Sequence, residues 1–326
     1  LMTYYIIRDF LKATNTSMAQ KVTVDADFSS VPGDGSQIKL KKGDVLTIES
    51  LIESLLIVSA NDSAIQLEKM VEDRTGKDFL KLMKNKSIEL GLNKTNYINT
   101  SGLTVNNNGK KLCNTTTAYE TAILAKKIVD DYPDTLKITD KKVYTYKDVV
   151  FNNTNKLLLK DKNIDGLKTG YTTEAGYCLA STIAITPRVK ENKPFRLIGV
   201  TLGSKSDLIR TSTNAKVIKY GEENFENKKI VKKGYIHNIP SEYHKGGLIP
   251  SSVGEDVYYL LKNGSKIDLK VSINEGLTGK VKRGDKVGKL FINIDGSSLE
   301  EDLIAINDVK RVNIFKRMVL LFKNMF

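Results

Sequence analysis

Three consecutive strand-like runs bracketed by helical patterns constrain this chain more than any other feature. IDGLKTGY, GYCLASTIAI and FRLIGVTLG follow one another between Asn163 and Gly203, separated by turn residues. A helical pattern then runs from about Asp207 to Asn224. Sequential strands with helices around them predict an α+β domain built on an antiparallel sheet.

Upstream, Leu1 to Lys12 is apolar up to Arg8, Asp9 and Lys12 and reads as a buried helix that begins without a cap. Lys21 to Asp27 alternates like a strand. Ser36 to Ile48 reads as a hairpin turning at Lys42-Gly43-Asp44. Helical periodicity covers Ile48 to Val58, resumes after Asn61 and runs to Arg74, ending at Gly76. Thr117 and Glu120 have capping-box spacing and open a helix that Pro133 closes.

Around Asn227-Lys228-Lys229 the texture changes to short alternating runs such as KIDLKVSI and KVGKLFINI. Asn263-Gly264, Arg283-Gly284-Asp285 and Asp295-Gly296 separate them. The expected organisation is therefore an α+β domain over residues 1–226, a small all-β domain over 227–304, and a tail over 305–326. In the tail, Val312, Phe315, Val319, Phe322 and Phe326 share one helical face. Lys310, Arg311, Lys316, Arg317 and Lys323 supply cations. That pattern predicts an interfacial helix with its apolar side in lipid and its cations on anionic headgroups.

Charge and composition exclude several chemistries. Lys and Arg number 51 against 38 Asp and Glu, a net +13 over 326 residues, which favours anionic partners. Outside the tail the excess reads as solvated surface, and no nucleic-acid motif accompanies it, so a nucleic-acid partner is not expected. The only histidines are His237 and His244. A histidine-ligated metal or a His-based triad in the first two-thirds is thereby excluded, and no metal or cofactor is expected. Cys113 and Cys178 read as buried or free thiols, with their pairing left open. No apolar run reaches the roughly 18 residues of a spanning helix. No signal peptide is visible, but the chain opens on Leu1 instead of Met, which makes that absence weak evidence.

Two short motifs carry chemistry. Ser59-Ala60-Asn61 lies between helical segments, in a turn that can offer a hydroxyl and an amide to a cleft. Lys168-Thr169-Gly170 lies in a strand ahead of a glycine-bounded turn, Thr172 to Gly176. A lysine beside a threonine hydroxyl suits a terminal carboxylate, and a strand glycine admits another backbone. The pair suggests a peptide C-terminus lying along an edge strand. Plainer readings compete: Ser59 as a helix cap, Asn61 as a turn residue, Lys168 as a solvated lysine.

With these motifs in order, the chain resembles the serine D-alanyl-D-alanine carboxypeptidases, the low-molecular-mass penicillin-binding proteins. That family carries Ser-x-x-Lys, Ser-x-Asn and Lys-Thr-Gly. VSANDSA and DGLKTGYTTEAGYCLAS match the second and third with their flanks; INTSGL and TTTAYETA match intervening landmarks more loosely. The resemblance implies a penicillin-binding-protein/β-lactamase-like domain, a β-rich second domain and a membrane-associating tail. It places the protein on the outer face of the bacterial cytoplasmic membrane, acting on peptidoglycan stem peptides and binding β-lactams.

It also implies residue roles. Ser59 relays protons near the base, Asn61 binds the substrate amide, and Lys168 supplies positive potential. Thr169 binds the carboxylate, Gly170 leaves room for the substrate backbone, and the Tyr171 N–H forms half of an oxyanion hole. Arg210, in SKSDLIRTSTNAK, matches an arginine that assists carboxylate binding, against a plain reading as a surface helix residue. The nucleophilic Ser and base Lys are expected to end one residue before Leu1, since Leu1-Met2-Thr3 resembles the apolar pair and Thr that come directly after Ser-x-x-Lys in the family. These 326 residues are therefore expected to be inert toward penicillin and peptide. Ser36-Gln37-Ile38-Lys39 repeats the spacing inside the expected hairpin and reads as chance. A class A β-lactamase and a non-catalytic wall-peptide-binding relative are the competing readings.

Overall fold

The computed structural model describes the backbone over residues 1–323 and side chains over 1–320. In chain order its elements begin with α1 (Met2–Ala13), β1 (Lys21–Thr23), β2 (Val45–Thr47) and α2 (Ile48–Glu53). The helix α2 passes into a π-helical turn, Ser54–Val58, before α3 (Asn61–Thr75) and α4 (Phe79–Glu89). A hairpin β3 (Val105–Asn107) and β4 (Lys110–Leu112) precedes α5 (Ala118–Asp131) and α6 (Thr135–Thr139). A second hairpin, β5 (Val143–Tyr146) and β6 (Val149–Asn152), leads to β7 (Ile164–Thr172), β8 (Gly176–Ile185), β9 (Phe195–Ser204) and α7 (Asp207–Asn224). Then come β10 (Phe225–Val231), β11 (His237–Pro240), β12 (Leu248–Val253), β13 (Val257–Lys262), β14 (Ile267–Ile273), β15 (Lys286–Ile294), β16 (Ser297–Ala305) and α8 (Ile314–Lys323).

The chain divides into two units, one of residues 1–184 with 196–222, the other of 185–195 with 223–326. In the first, α1 is buried nearly all round, through Met2, Tyr4, Tyr5, Ile6, Ile7, Phe10 and Leu11. A helix apolar on every side belongs in a core, and no side chain caps its start. Its polar groups find partners both within the helix and far along the chain. Arg8 donates to Tyr4 Oη at 2.7 Å and to Asp134 at 3.0 Å, and Tyr4 and Thr135 share a hydrogen bond of 2.6 Å. The sheet orders its strands β7-β8-β9, with β7 and β8 antiparallel. Asn214 of α7 is fully buried; it donates to the carbonyls of Leu179 and Gly199 at 3.1 Å and accepts from Ser181.

The second unit holds a five-stranded sheet ordered β11-β12-β16-β15-β14 and the pair β10-β13. Ile239, Ile249, Val287, Leu290, Ile292 and Leu303 form its core. Asp295 and Gly296 both take positive φ, the conformation a tight hairpin between β15 and β16 requires.

Two expectations fail. The Ser36–Ile48 segment is not a hairpin: only β2 forms, and it pairs with β1 instead. The Asp62 carboxylate captures the N–H groups of Ile38 (3.3 Å) and Leu40 (3.0 Å), and Lys39 sits at φ +60°, so no ladder can run through that stretch. The tail helix starts only at Ile314, after the expected first face residue Val312, because β-bridges take up the residues before it: Val309 to Val281 and Arg311 to His244. Val312 is therefore not on the helical face, whereas Phe315 and Val319 are exposed on α8. The side chains of Phe322 and Lys323, and residue Phe326, lie outside the described residues.

Candidate active site

The turn that presents Ser59 is made by helix chemistry. Ser59 closes the π-helical turn in the left-handed conformation, φ 66° and ψ 35°. Ala60 donates back to the Ser54 carbonyl at 3.1 Å, and α3 starts immediately at Asn61. Only two residues, Ser59 and Ala60, thus separate the helical segments, and a non-glycine residue, Ser59, carries the reversal. Asn61 is fixed by two bonds to the Ser36 carbonyl, from its backbone N–H and from Nδ2, both 2.9 Å. Asp62 then pins residues 38–40 over the first turn of α3, where a carboxylate is favoured.

Lys168 meets this turn from β7. Its ammonium donates to Ser59 Oγ at 2.7 Å and to the Thr169 carbonyl at 2.6 Å. Burial, with the Arg210 guanidinium nearby, lowers its pKa to about 7. Leu1, half-buried at the head of α1, lies within electrostatic range of Lys168.

Thr169 and Arg210 complete the strand edge. Thr169 Oγ1 lies 2.6 Å from Thr154 Oγ1, and Thr154 also reaches the Ile57 carbonyl at 3.3 Å. Arg210, buried on α7, donates from Nη1 to the carbonyls of Gly170 (3.2 Å) and Cys178 (3.3 Å) and from Nη2 to that of Thr154 (3.3 Å). Its Nε lies 2.8 Å from Asp207, which also pairs with Lys156 at 2.6 Å. The exposed Tyr171 stacks its ring 4.2 Å from that of Tyr177. A Cβ on Gly170 would meet only Cys178 Cβ, at 3.9 Å, an ordinary contact. Internal packing therefore does not demand glycine there.

The structure brings Ser59 into contact with Lys168 and puts Thr169, Gly170 and Tyr171 along the same strand, with Arg210 bonded to that strand. Asn61 adjoins Ser59 but is held by Ser36. Ser36 and Lys39 are not on a helix, so that Ser-x-x-Lys spacing aligns nothing. Sequence reasoning missed Thr154, Asn155 and Ser36. Asn155 donates to the Gly166 carbonyl at 3.0 Å, ahead of the Lys168 triplet. The polar cluster Asn152-Asn153-Thr154-Asn155 was the only signal for Thr154 and Asn155; Ser36 stood out only in a Ser-x-x-Lys spacing read as chance. Cys113 and Cys178 are free thiols.

Residues 1–206 match the family model described as D-alanyl-D-alanine carboxypeptidase. The chain belongs to that family. Residues 225–311 match the C-terminal domain of penicillin-binding protein 5. The carboxypeptidase DacF of Bacillus subtilis is 27% identical over 94% of this chain and 77% of its own length. The carboxypeptidase DacC of Escherichia coli is 29% identical over 98% of this chain and 78% of its own. Penicillin-binding protein 5 of Haemophilus influenzae superposes with a TM-score of 0.68 at 25% identity, covering 94% of this chain and 88% of its own. The carboxypeptidase family is one of serine hydrolases. Its α+β domain followed by a β-rich domain is the architecture seen here.

Proposed function

We propose that these residues form the substrate-holding part of a serine D-Ala-D-Ala carboxypeptidase whose nucleophile and base come from residues ahead of Leu1. The observation that carries this reading is the Lys168–Ser59 hydrogen bond, 2.7 Å long, with the head of α1 within electrostatic range of Lys168. A Ser-x-x-Lys turn leading into α1 would meet Ser59 and the edge of β7 there. The lysine amine takes the serine proton, and the serine oxygen attacks the carbonyl between the two terminal D-alanines. Ser59 passes the proton from the lysine to the departing amine, and water then hydrolyses the acyl-enzyme.

Lys168, Thr169 and Arg210 make the end of the cleft attractive to the terminal carboxylate. The Tyr171 N–H and that of the upstream serine receive the oxyanion, Asn61 turns to the substrate amide, and Gly170 leaves space for the substrate backbone. β-Lactams enter as analogues of the same acyl donor. The match of residues 225–311 to the second domain counts against a lone class A β-lactamase-like hydrolase.

In this reading residues 1–226 carry catalysis, 227–304 form the β-rich domain and 305–326 associate with the membrane. The protein acts on the outer face of the cytoplasmic membrane. Among the described residues no helix is long and apolar enough to cross a bilayer. On α8, however, Ile314, Phe315, Met318 and Val319 are exposed beside the exposed Lys316, which suits a helix lying in a lipid interface.

The test is labelling with a fluorescent penicillin, after extending the chain upstream of Leu1 through its own coding sequence. Covalent label is expected, reduced about 100-fold by Ser59→Ala and by Lys168→Gln. Labelling indifferent to both changes overturns the site. Label on the 326 residues alone overturns the placement of the nucleophile.

A further inference from the structure

The fold gathers cations that are far apart in sequence around the root of α8. Val281 bridges Val309, and His244 bridges Arg311. Lys245 N–H donates to the Lys310 carbonyl at 2.8 Å, and Val312 N–H to the Tyr243 carbonyl at 3.0 Å. The imidazole of His244, buried, holds the Ser241 hydroxyl at 2.7 Å and the Gly279 carbonyl at 2.8 Å. A Cβ on Gly279 would stand 3.5 Å from the Arg311 guanidinium. Three segments, residues 241–247, 278–285 and 308–317, are thereby tied together.

Those segments carry eight Lys or Arg against three acids, Glu242, Asp285 and Asp308. Lys245, Lys280, Lys282, Arg283, Lys310 and Arg311 are all exposed. Asp285 and Asp308 are taken by the backbone N–H groups of Lys282 and Arg283, both at 2.8 Å. Elsewhere in this unit Lys229, Lys286 and Lys289 pair with Asp256, Asp302 and Glu300; none of the six forms an ion pair among the described residues.

We propose that these loops of the β-rich unit form a second, domain-borne contact with anionic lipid headgroups, flanking the helix. The inference rests on the interfacial reading of α8 and extends it. The patch leads along the chain directly into α8, where Phe315 and Val319 are exposed, so apolar side chains for acyl chains follow cations for phosphates within a few residues. Its cations sit on hydrogen-bonded strands and turns, so little ordering opposes their contact with lipid.

Vesicle sedimentation with this chain tests it, using phosphatidylcholine alone and with one-third phosphatidylglycerol. The variant combining Lys245→Gln, Lys280→Gln, Lys282→Gln and Arg283→Gln leaves α8 intact. It should bind the anionic vesicles at least about tenfold more weakly, with a shallower salt dependence. Replacing the three lysines by Arg should preserve binding. If the four-site variant misfolds, Lys282→Gln with Arg283→Gln alone should still show the shallower salt dependence. Unchanged binding by the Gln variants overturns the patch and leaves the helix reading standing. Phe315→Glu with Val319→Glu tests the helix separately. No binding by the unaltered chain overturns both. A Gln variant that loses affinity for soluble poly(glycerol phosphate) but not for vesicles assigns the patch to a wall polymer and overturns the lipid contact.

Discussion

The Lys168 ammonium donates to the Ser59 hydroxyl at 2.7 Å, joining the edge strand β7 to the turn that starts α3. Burial first, and Arg210 second, bring this lysine to about pH 7, although an ordinary lysine titrates far higher. In the unfolded chain it regains its ordinary pKa, so between about 7 and 10.5 the unfolded state binds the extra proton. Stability from this group therefore rises with pH across that window and is flat below it. Urea midpoints of wild type and Lys168→Met, compared at both ends of the window, should diverge in favour of wild type at the alkaline end. A constant difference would show that Lys168 is not depressed.

Ser59 holds a left-handed conformation that costs a side-chain-bearing residue about 1 kcal/mol more than glycine. Ser59→Gly and Ser59→Ala both delete the hydroxyl that Lys168 uses, but only the first relieves the backbone. Ser59→Gly should therefore be the more stable of the two by about 1 kcal/mol in chemical denaturation. Equal stabilities would mean that the turn relaxes away from this conformation.

How much of this was legible in the sequence depends on how local the cause is. The runs read as GYCLASTIAI and KVGKLFINI coincide with β8 and β15, because apolar pattern and bounding turns sit within a few residues of each other. The Ser36–Ile48 hairpin failed because Asp62, distant in sequence, claims the amides that a ladder would need. Ser59 and Lys168 were legible as triplets. Their meeting across 109 positions, and the support Thr154 gives Thr169, are products of the fold alone. The basic patch is likewise invisible until bridges bring Val281 to Val309 and His244 to Arg311.

Thr154 is expected to act through Thr169. The two hydroxyls share a hydrogen bond of 2.6 Å, and valine replaces either threonine with little change of shape. In a double-mutant cycle of Thr154→Val and Thr169→Val, the coupling should be about 1 kcal/mol, the usual net worth of such a bond. A coupling near zero would assign Thr154 to the Ile57 carbonyl alone.

Gly288 tests the second unit. It lies in β15 opposite Ile273, beside a register shift against β16. A Cβ there would stand 2.0 Å from the Ser272 carbonyl oxygen and 2.8 Å from Ile239 Cδ1. The first of these neighbours is backbone and cannot rotate aside, so Gly288→Ala must part β14 from β15 or bend the strand into the core. We expect a loss of about 3 kcal/mol, at the upper end of overpacking costs. Amide exchange should accelerate in β14 and β15 before it does in β7 and β8. Uniform acceleration across both sheets would show that the damage is not confined to the β-rich unit. An unchanged exchange pattern would show that Gly288 does not approach Ser272 as described.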